Sequence, residues 1–511
     1  MHACMCLCVF KPTKQENQRG NSKLKNTEKK AILALVGIAI ISMSSEAARA
    51  LGALSSNVSI SSSGYISTLP TVNLTVNPLS TIGTNNLSLG FNLHHDYERS
   101  TWYSRSTLSQ MGVDINARMI RLLTYKIESC TSWNDATKTG TFNWQNVDSM
   151  IQRVFQTGAQ PLITIGFAYS SGIEIPPGMS LNPATGLPYP DSFAAYCREW
   201  VKHFQQVGLP VKYYEIMNEA WYYFYPNWNW NEAKAQNFLT LYNTAYNAMH
   251  TQNSQVLIGN DAALHRRFLD FWKANGGKLD FLSFHKYDCD NLAMDDSTPL
   301  SRADRRYFIS DSYYYGVKDA RQLWGSALPA ISSEGNWAAF CSQGTDPRIQ
   351  QVVGAVYVAL ALRMAVLENV QYSLYYSFSS SKSWELANKQ TGGYGFGMIN
   401  QDDNKPWYPY YVQYLVGHNL AVGDSLLETS SSSSDVRALS WIHEGTLNTL
   451  IACKVNEPRT IRLLGLTGNL NLFEINEEIS YTTPTIQSAQ VEVENALVIN
   501  GYTVILLQTI K

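Results

Sequence analysis

The sequence lacks the marks of several large classes of protein. Its 511 residues contain no glycine-rich phosphate turn after the first strand-like run, which argues against a dinucleotide-binding fold. The longest apolar run, 31–43, is shorter than the roughly 20 residues needed to cross a bilayer. The formal net charge is −2 and becomes −7 without residues 1–50, so no basic surface for nucleic acid or anionic membranes is expected. We therefore predict neither a nucleic-acid partner nor an integral membrane partner.

Cysteine is scarce and poorly spaced for a structural role. Three of the eight cysteines lie within the first eight residues, and the other five are widely separated: Cys130, Cys197, Cys289, Cys341 and Cys453. An odd number of distant cysteines is typical of neither a disulfide framework nor a zinc site. His94 and His95 also lack convincing further ligands. The sequence therefore predicts no metal and no cofactor.

The first 50 residues have the features of a secretion signal. A lysine-rich segment precedes the apolar run, and "EAARA", which ends at Ala50, resembles a cleavage site. Removing this segment, which carries eight basic and three acidic residues, changes the net charge from −2 to −7. Three glycosylation acceptors follow, at Asn57, Asn73 and Asn86. We expect a secreted glycoprotein; the alternative is an uncleaved segment that anchors the protein.

The chain after residue 50 divides into three segments by pattern. Residues 51–88 are rich in Ser, Thr and Asn, and predict a linker or strands lent to the β-domain. From 89 to 407, strand-like runs alternate with helical stretches. From 408 to 511 helical patterns disappear, and short alternating strands predict an antiparallel β-sandwich.

The middle segment has the pattern of an α/β barrel. Its eight candidate strands are "LSLGFNL", "ARMIRLL", "PLITIGF", "KYYEIMN", "VLIGND", "FLSFH", "PAISSE" and "YSLYYSF". Apolar residues recur at helical spacing over 143–157, 191–207, 231–250 and 347–368. Eight strands with intervening helices over about 300 residues predict a (β/α)8 TIM barrel. A doubly wound open sheet is the rival fold.

Two glutamates end predicted strands of this barrel. Glu219 ends the fourth strand directly after Asn218, and Glu334 ends the seventh. The C-terminal strand ends form the open mouth of such a barrel. Two carboxylates across that mouth can flank a glycosidic bond, one protonating the leaving oxygen and the other attacking the anomeric carbon. A solvated loop charge would explain either glutamate alone, so it is the pair that indicates catalysis.

Further side chains of the predicted mouth could support these carboxylates. His285 and Tyr287 are two residues apart and therefore share one face of the sixth strand. Their donors, with Arg121 of the second strand, could hold Glu334 ionised and aimed. A buried structural His–Tyr pair and a structural ion pair are the alternatives. Trp221 begins a dense aromatic cluster, 221–230, which predicts either a sugar-stacking platform or a packing lid.

At these residues the sequence resembles a glycoside hydrolase of clan A, the retaining barrel enzymes. Within the clan it is most similar to family 39, the β-xylosidases and α-L-iduronidases. The similarity rests on "YEIMNEAW", on the run 256–288, on "SEGNW" and on "YYSFSSSKSWE". The resemblance implies that Glu219 is the acid/base and Glu334 the nucleophile. The expected substrate-binding residues are Asn218, His285, Tyr287, Arg121, Trp221, Tyr376 and Trp384.

The sequence also departs from the family around the cleaved sugar. Tyr376 stands where the family usually has tryptophan, Ser380 where it has aspartate, and no histidine follows Arg121 in its strand. A cellulase or mannanase like those of family 5 is therefore the runner-up.

We expect a secreted retaining glycoside hydrolase that cleaves β-linked xylan, glucan or mannan of plant-type poly- or oligosaccharides by a two-glutamate double displacement. The alternatives are a transglycosidase using the same residues and a non-catalytic carbohydrate-binding or cell-surface barrel protein.

Overall fold

The computed structural model describes residues 69–93, 102, 106–123, 129–169, 172–305, 313–325, 328–339, 345–388, 393–479, 486–492 and 496–510. The predicted signal, 1–50, lies outside these residues, as do Asn57, His94, His95 and Cys341. Among the helices described, none combines the length and the apolar character that crossing a membrane requires.

Strands and helices alternate through most of the described chain. The strands are β1 Thr71–Thr84, β2 Ser88–Leu93, β3 Met119–Leu123, β4 Cys130–Asn134, β5 Thr139–Phe142, β6 Gln160–Tyr169, β7 Gly172–Glu174, β8 Tyr213–Asn218, β9 Leu257–Asn260, β10 Phe281–Cys289, β11 Ala330–Ala338, β12 Tyr372–Tyr375, β13 Ser379–Ser380, β14 Ile399–Asn400, β15 Lys405–Pro406, β16 Ser425–Ser431, β17 Val436–His443, β18 Thr446–Cys453, β19 Arg459–Leu464, β20 Asn469–Ile475, β21 Gln487–Glu492, β22 Leu497–Ile499 and β23 Thr503–Thr509. The α-helices are α1 Ser106–Asp114, α2 Gln145–Gln156, α3 Pro190–Gln206, α4 Trp221–Phe224, α5 Glu232–Gln252, α6 Arg266–Ala274, α7 Ser297–Ala303, α8 Val317–Trp324, α9 Val352–Leu367, α10 Lys382–Asn388 and α11 Tyr408–Asn419.

Eight parallel strands close into a barrel. They pair in the order β2, β3, β6, β8, β9, β10, β11 and β12, and β12 pairs back with β2. These are the eight strands predicted from the sequence, and α2, α3, α5 and α9 overlap the four predicted helical stretches. The predicted (β/α)8 barrel is therefore confirmed, and the alternative of a doubly wound open sheet is excluded.

The barrel interior changes from apolar to polar along its axis. One end is filled by a small apolar cluster of inward side chains: Met119, Leu162, Phe281, Ile331 and Leu374. Side chains alternate along a strand, so the next inward residue lies two positions further on. That step brings Arg121, Thr164 and Ser283 into a buried polar layer. This polar layer lies directly beneath the residues at the C-terminal ends of the strands.

A mostly antiparallel β-sheet domain follows the barrel, as predicted. Its nine strands pair in the order β21, β20, β23, β18, β17, β16, β1, β19 and β22. Apolar side chains from all nine strands form one core. β1, from the N-terminal segment, pairs antiparallel with β16 and parallel with β19. Helix α9 contacts both barrel strand β11 and strands β18 and β23 of this sheet, and it is therefore buried on nearly every side.

One expectation about the end of the barrel was wrong. No helix was predicted after residue 407, but α11 occupies Tyr408–Asn419. The helix packs against α9 and buries residues on nearly all sides, including Tyr411, Val412 and Gln413. A helix buried all round shows no amphipathic period, and tyrosine and valine favour strands, so the pattern gave no helical signal.

Candidate active site

The two predicted catalytic glutamates meet at the mouth of the barrel. Glu219 directly follows β8, the fourth barrel strand, and Glu334 lies in β11, the seventh. One carboxylate oxygen from each, together with a ring nitrogen of His285, all lie within 4.8 Å of one another. Glu334 is buried, whereas about 20% of the Glu219 side chain is exposed. The structure thus brings together residues that are 115 positions apart in the chain.

The strands that carry the two glutamates are both irregular near these residues. In β11 the pairing with β10 shifts by one residue, from Phe284 opposite Ser332 to His285 opposite Glu334. Such a bulge re-aims a side chain that strict alternation would turn outward. In β8, Met217 has a φ of 60°, and Glu219 just beyond it has a φ of 51°. These left-handed conformations are uncommon for residues other than glycine, and they cluster at functional sites.

Arg121 connects the two glutamate-bearing strands from inside the barrel. Its guanidinium donates to Oε1 of Glu334 at 2.5 Å, to Oδ1 of Asn218 at 2.6 Å and to Oε2 of Glu215 at 2.7 Å. Burial lowers the pKa of Arg121, but the nearby Glu215 and Glu334 carboxylates more than offset it, and the net shift is upward. The side chain is a permanent buried cation with a rigid fork of donors.

Glu215 is a buried carboxylate that the sequence analysis missed. It accepts hydrogen bonds from Arg121, from Thr164 at 2.7 Å and from Ser283. Burial acts to raise the pKa of Glu215, but Arg121 and the hydroxyl donors hold it below its usual value. The available signal was alternation, because Glu215 shares the inward face of β8 with Tyr213. Its ion pair with Arg121 stabilises the buried guanidinium.

His285 and Tyr287 both lie against the carboxylates, as predicted. The Tyr287 hydroxyl donates to Oε2 of Glu334 at 2.7 Å. His285 Nδ1 lies 3.1 Å from Oε1 of Glu219 and 3.4 Å from Oε2 of Glu334. Burial lowers the pKa of His285 to about 4, although the Glu334 charge opposes this. The imidazole is therefore neutral at mildly acidic and neutral pH.

Glu219 has the environment of a carboxylic acid rather than a carboxylate. Burial raises its pKa to about 7, and the opposing effect of Arg121 is smaller. Glu334, in contrast, accepts hydrogen bonds on both oxygens, from Arg121 and from Tyr287. Two carboxyl groups held close together in such different surroundings are suited to different roles, one as a proton donor and one as an anion.

Asp261 is a second residue that the sequence analysis missed. It follows β9, and its Oδ2 accepts the backbone N–H of Glu219 at 2.5 Å. The same oxygen lies 3.4 Å from Nε2 of His285. Its position at the end of "VLIGND" was the available signal, since it is a carboxylate at a strand end like the two glutamates.

The aromatic cluster has a partly exposed part and a buried part. Trp221 stacks on Tyr222, with ring centroids 3.7 Å apart, and on Trp228 at 5.2 Å. The Trp228 side chain is 60% exposed. Phe224, in contrast, is buried and stacked on Phe268. Phe224 therefore has the packing role that was one of the two alternatives. Trp221, Tyr222 and Trp228 form a separate stack that we call the Trp228 stack.

The remaining predicted residues lie near the eighth barrel strand. Tyr376 directly follows β12 and meets the edge of Tyr287, with centroids 6.1 Å apart. It is thereby one ring away from Glu334. Trp384 lies on α10 and is 45% exposed, and its backbone N–H is bonded to Ser381 within the same segment. The place of Trp384 among the substrate-binding residues stays a prediction.

Glu219, His285 and Glu334 offer three ligand atoms close enough to hold a metal ion. The Arg121 guanidinium already lies 2.5 Å from Glu334 and supplies the positive charge there. A second cation would be repelled by it. The absence of a metal from the reaction stays a prediction.

No protein-family model matches the sequence, and no curated protein matches it either. Solved structures do match. A monomeric β-xylosidase from Caulobacter crescentus CB15 superposes with a TM-score of 0.58 at 14% identity, covering 86% of this chain and 99% of that one. The GH39 enzyme from Xanthomonas axonopodis pv. citri gives 0.56 at 15% identity, covering 85% and 96%. An α-L-arabinofuranosidase from Thermotoga maritima gives 0.58 at 13%, covering 86% and 99%. The predicted likeness to family 39 and its clan is confirmed as a likeness of fold.

Proposed function

We propose that this protein is a retaining glycoside hydrolase that cleaves β-linked glycosidic bonds. The observation that carries the proposal is the pair Glu219 and Glu334, with oxygens within 4.8 Å of each other at the mouth of the barrel. Retaining pairs are separated by about 5 to 5.5 Å, whereas inverting pairs need roughly 6.5 to 9.5 Å to admit a water molecule. The close spacing supports retention.

The two glutamates have different parts in the first step. Oε1 of Glu334 is held by Arg121 and Oε2 by Tyr287, so the carboxylate is aimed and cannot rotate freely. It attacks the anomeric carbon and forms a glycosyl ester. Glu219, protonated below about pH 7, gives its proton to the leaving oxygen as the glycosidic bond breaks.

The second step reverses these roles. Glu219, now a carboxylate, takes a proton from water, and the water oxygen attacks the anomeric carbon. The bond to Glu334 breaks, the sugar leaves with its original configuration, and Glu219 is protonated again. Neutral His285 lies against both carboxyl groups throughout and can donate to one of them without adding a charge. A second sugar in place of water would make the same site a transglycosidase.

We propose β-linked xylan and its oligosaccharides as the first substrates to test, with glucan and mannan next. The similar structures include one named a β-xylosidase and one named an α-L-arabinofuranosidase, both acting on pentose sugars by their names. The Trp228 stack offers a flat, partly exposed aromatic face on the same βα loop as Glu219. Sugar rings pack their C–H faces on such surfaces.

We also propose that the protein acts outside the cell. The lysine-rich, then apolar, N-terminal segment and the three glycosylation acceptors support this. An uncleaved segment would give an anchored enzyme with the same active site. Sequencing the N-terminus of the protein recovered from the culture medium and from the membrane fraction tests this, and cleavage after Ala50 is the expected result.

The test of the activity is reducing-sugar release by the purified protein and by Glu334→Gln, on xylan, cellulose, mannan and a panel of aryl glycosides from acidic to neutral pH. Release by the wild type and its loss in the folded variant are expected. Equal release by both proteins would contradict the role of Glu334. No release from any substrate, with glycan binding retained, would favour a carbohydrate-binding protein.

A further inference from the structure

A buried aspartate lies directly behind the proposed acid. Asp261 is 3% exposed, and its Oδ2 accepts the backbone N–H of Glu219 at 2.5 Å. The same oxygen lies 3.4 Å from Nε2 of His285, whose Nδ1 is 3.1 Å from Oε1 of Glu219. Asp261 therefore reaches Glu219 by two routes, one through the backbone and one through the imidazole.

Within the described part of the chain, Asp261 and His285 each have a buried polar atom without a hydrogen bond. Nε2 of His285 and Oδ1 of Asp261 are both buried, and neither has a hydrogen-bond partner among the described residues. Buried polar atoms without partners are costly, so groups this close are expected to bond. Hydrogen bonds of catalytic groups are often long in a free enzyme and shorten when the substrate binds.

We propose that Asp261 is a positioning residue for Glu219, and that it acts by holding His285 in the tautomer whose Nδ1–H points at Glu219. This inference rests on the function proposed above, because it names a partner for the acid of that reaction. A histidine has one proton and two ring nitrogens when neutral, and the partner of one nitrogen decides what the other can do.

The chemistry follows if Asp261 is the donor. Burial and the charge of Glu215 raise the pKa of Asp261 well above its usual range, which favours the protonated form. Protonated Asp261 donates to Nε2, so the ring proton is on Nδ1 and is donated to Oε1 of Glu219. The acidic proton of Glu219 is then on Oε2, away from the imidazole, where it is free to reach the leaving oxygen. The charged groups that face these hydrogen bonds between Asp261, His285 and Glu219 are Arg121, Glu215 and Glu334.

An asparagine at 261 would break this arrangement without changing the shape of the side chain. One oxygen of Asp261 meets both the Glu219 backbone N–H and Nε2 of His285, and in asparagine that atom is an amide oxygen, which can only accept. His285 must then carry its ring proton on Nε2. Nδ1 would then turn a lone pair towards Glu219 and Glu334, which disfavours the ionised form of Glu219. The variant should therefore shift the pH above which Glu219 stops acting as an acid to a higher value.

The first test is nitrogen-15 NMR of histidine-labelled protein, which reports the tautomer without any need for turnover. The His285 signals are assigned by their loss in His285→Gln. We expect the proton on Nδ1 in the wild type and on Nε2 in Asp261→Asn. A wild-type proton on Nε2, or the same tautomer in both proteins, would overturn the proposal.

The second test is the pH profile of kcat/KM, with Asp280→Asn as the matched control. Asp280 also accepts from a histidine, His250, at 2.8 Å and from a backbone N–H, that of Ile258, at 2.9 Å, but it lies before β10 at the closed end of the barrel. We expect Asp261→Asn to lose at least tenfold more activity on substrates with poor leaving groups than on activated aryl glycosides, mainly through kcat. The basic limb of its pH profile should lie at higher pH than that of the wild type. Asp280→Asn should change neither ratio nor limb. An equal loss on both substrates, or an unmoved limb, would show that Asp261 is merely structural. Inactivity of the wild type would count against the proposed function alone, since the tautomer is measured independently.

Discussion

The guanidinium of Arg121 lies 2.5 Å from Oε1 of Glu334, and both side chains are buried. The same guanidinium also holds Asn218, the residue before Glu219. The Arg121 cation thus holds both Glu334, the proposed nucleophile, and the end of the strand that carries Glu219, the proposed acid. Arg121 carries one positive charge against the two negative charges of Glu215 and Glu334, so it offsets part of their charge and leaves no excess positive charge at the site.

Replacing Arg121 by lysine tests whether this fork geometry matters. Lysine keeps the charge but cannot reach Glu215, Asn218 and Glu334 together. A displacement of about 1 Å at reacting groups can cost on the order of 100-fold, so we expect kcat to fall by about that factor. Arg321→Lys, which alters a guanidinium bonded mainly to backbone carbonyls away from the mouth, should leave kcat unchanged. Steady-state kinetics of both variants test this expectation. Full activity in Arg121→Lys would contradict the positioning role of Arg121.

Glu219→Gln should discriminate between substrates by their leaving groups. Glutamine has the shape of glutamic acid but cannot supply a proton. Loss of general acid catalysis typically costs on the order of 10² to 10⁴-fold, and only where the leaving oxygen needs that proton. We expect losses in that range for unactivated oligosaccharides and a much smaller loss for the glycosylation step of a dinitrophenyl glycoside. Equal losses in pre-steady-state rates on both would show that Glu219 is not the acid.

The pH profile of the wild type should have its basic limb near the pKa of Glu219. That pKa is raised to about 7 by burial. A raised carboxyl pKa extends the protonated form to higher pH, so kcat/KM should be maintained in mildly acidic solution and fall as the pH rises through about 7. A profile of kcat/KM from pH 4 to 9 measures this. Activity that stays constant through pH 8 would contradict the assignment.

The same shift affects stability. A carboxyl group whose pKa is higher in the folded than in the unfolded protein supports the fold below about pH 4.5, and this support is lost as the pH rises through about 7. Glu219→Gln should therefore gain stability relative to the wild type across that window, by up to roughly 3 kcal/mol above pH 7. Urea unfolding at pH 4.5 and pH 8 tests it. A stability difference between Glu219→Gln and the wild type that is the same at both pH values would contradict it.

The Trp228 stack should contribute to binding rather than to chemistry. Trp228 is 60% exposed and rests on Trp221. Loss of an aromatic contact of this kind costs about 1 kcal/mol, so Trp228→Ala should raise KM for oligosaccharides several-fold with kcat little changed. Tyr414→Ala removes a partly exposed ring on α11 and serves as the control. A KM unchanged in Trp228→Ala would remove the stack from the substrate path.

The barrel and its mouth could be predicted because their signals are local and repeated. Eight strand-like runs alternate with helices, and the two glutamates end the fourth and seventh runs. Side-chain alternation likewise placed His285 and Tyr287 on one face of β10. The helix α11 was missed because it is buried all round, so the periodicity that marks a surface helix is absent.

The supporting residues were harder to predict. Glu215 lies within an apolar run and resembles an isolated polar residue until Arg121 is placed beside it. Asp261 acquires its meaning from contacts with Glu219 and His285, which are 42 and 24 residues away in the chain. The bulge that aims Glu334 inward depends on pairing between two strands rather than on either sequence alone.

The most direct test of the central claim is to trap the glycosyl-enzyme. Incubation with a 2-deoxy-2-fluoro-β-xyloside that carries a good leaving group, followed by peptide mass spectrometry, should locate one sugar on the peptide containing Glu334. Glu334→Gln should remain unlabelled under the same conditions. A label on a different residue, or turnover that inverts the anomeric configuration without any label, would contradict the assignment of Glu334 as the nucleophile of a retaining enzyme.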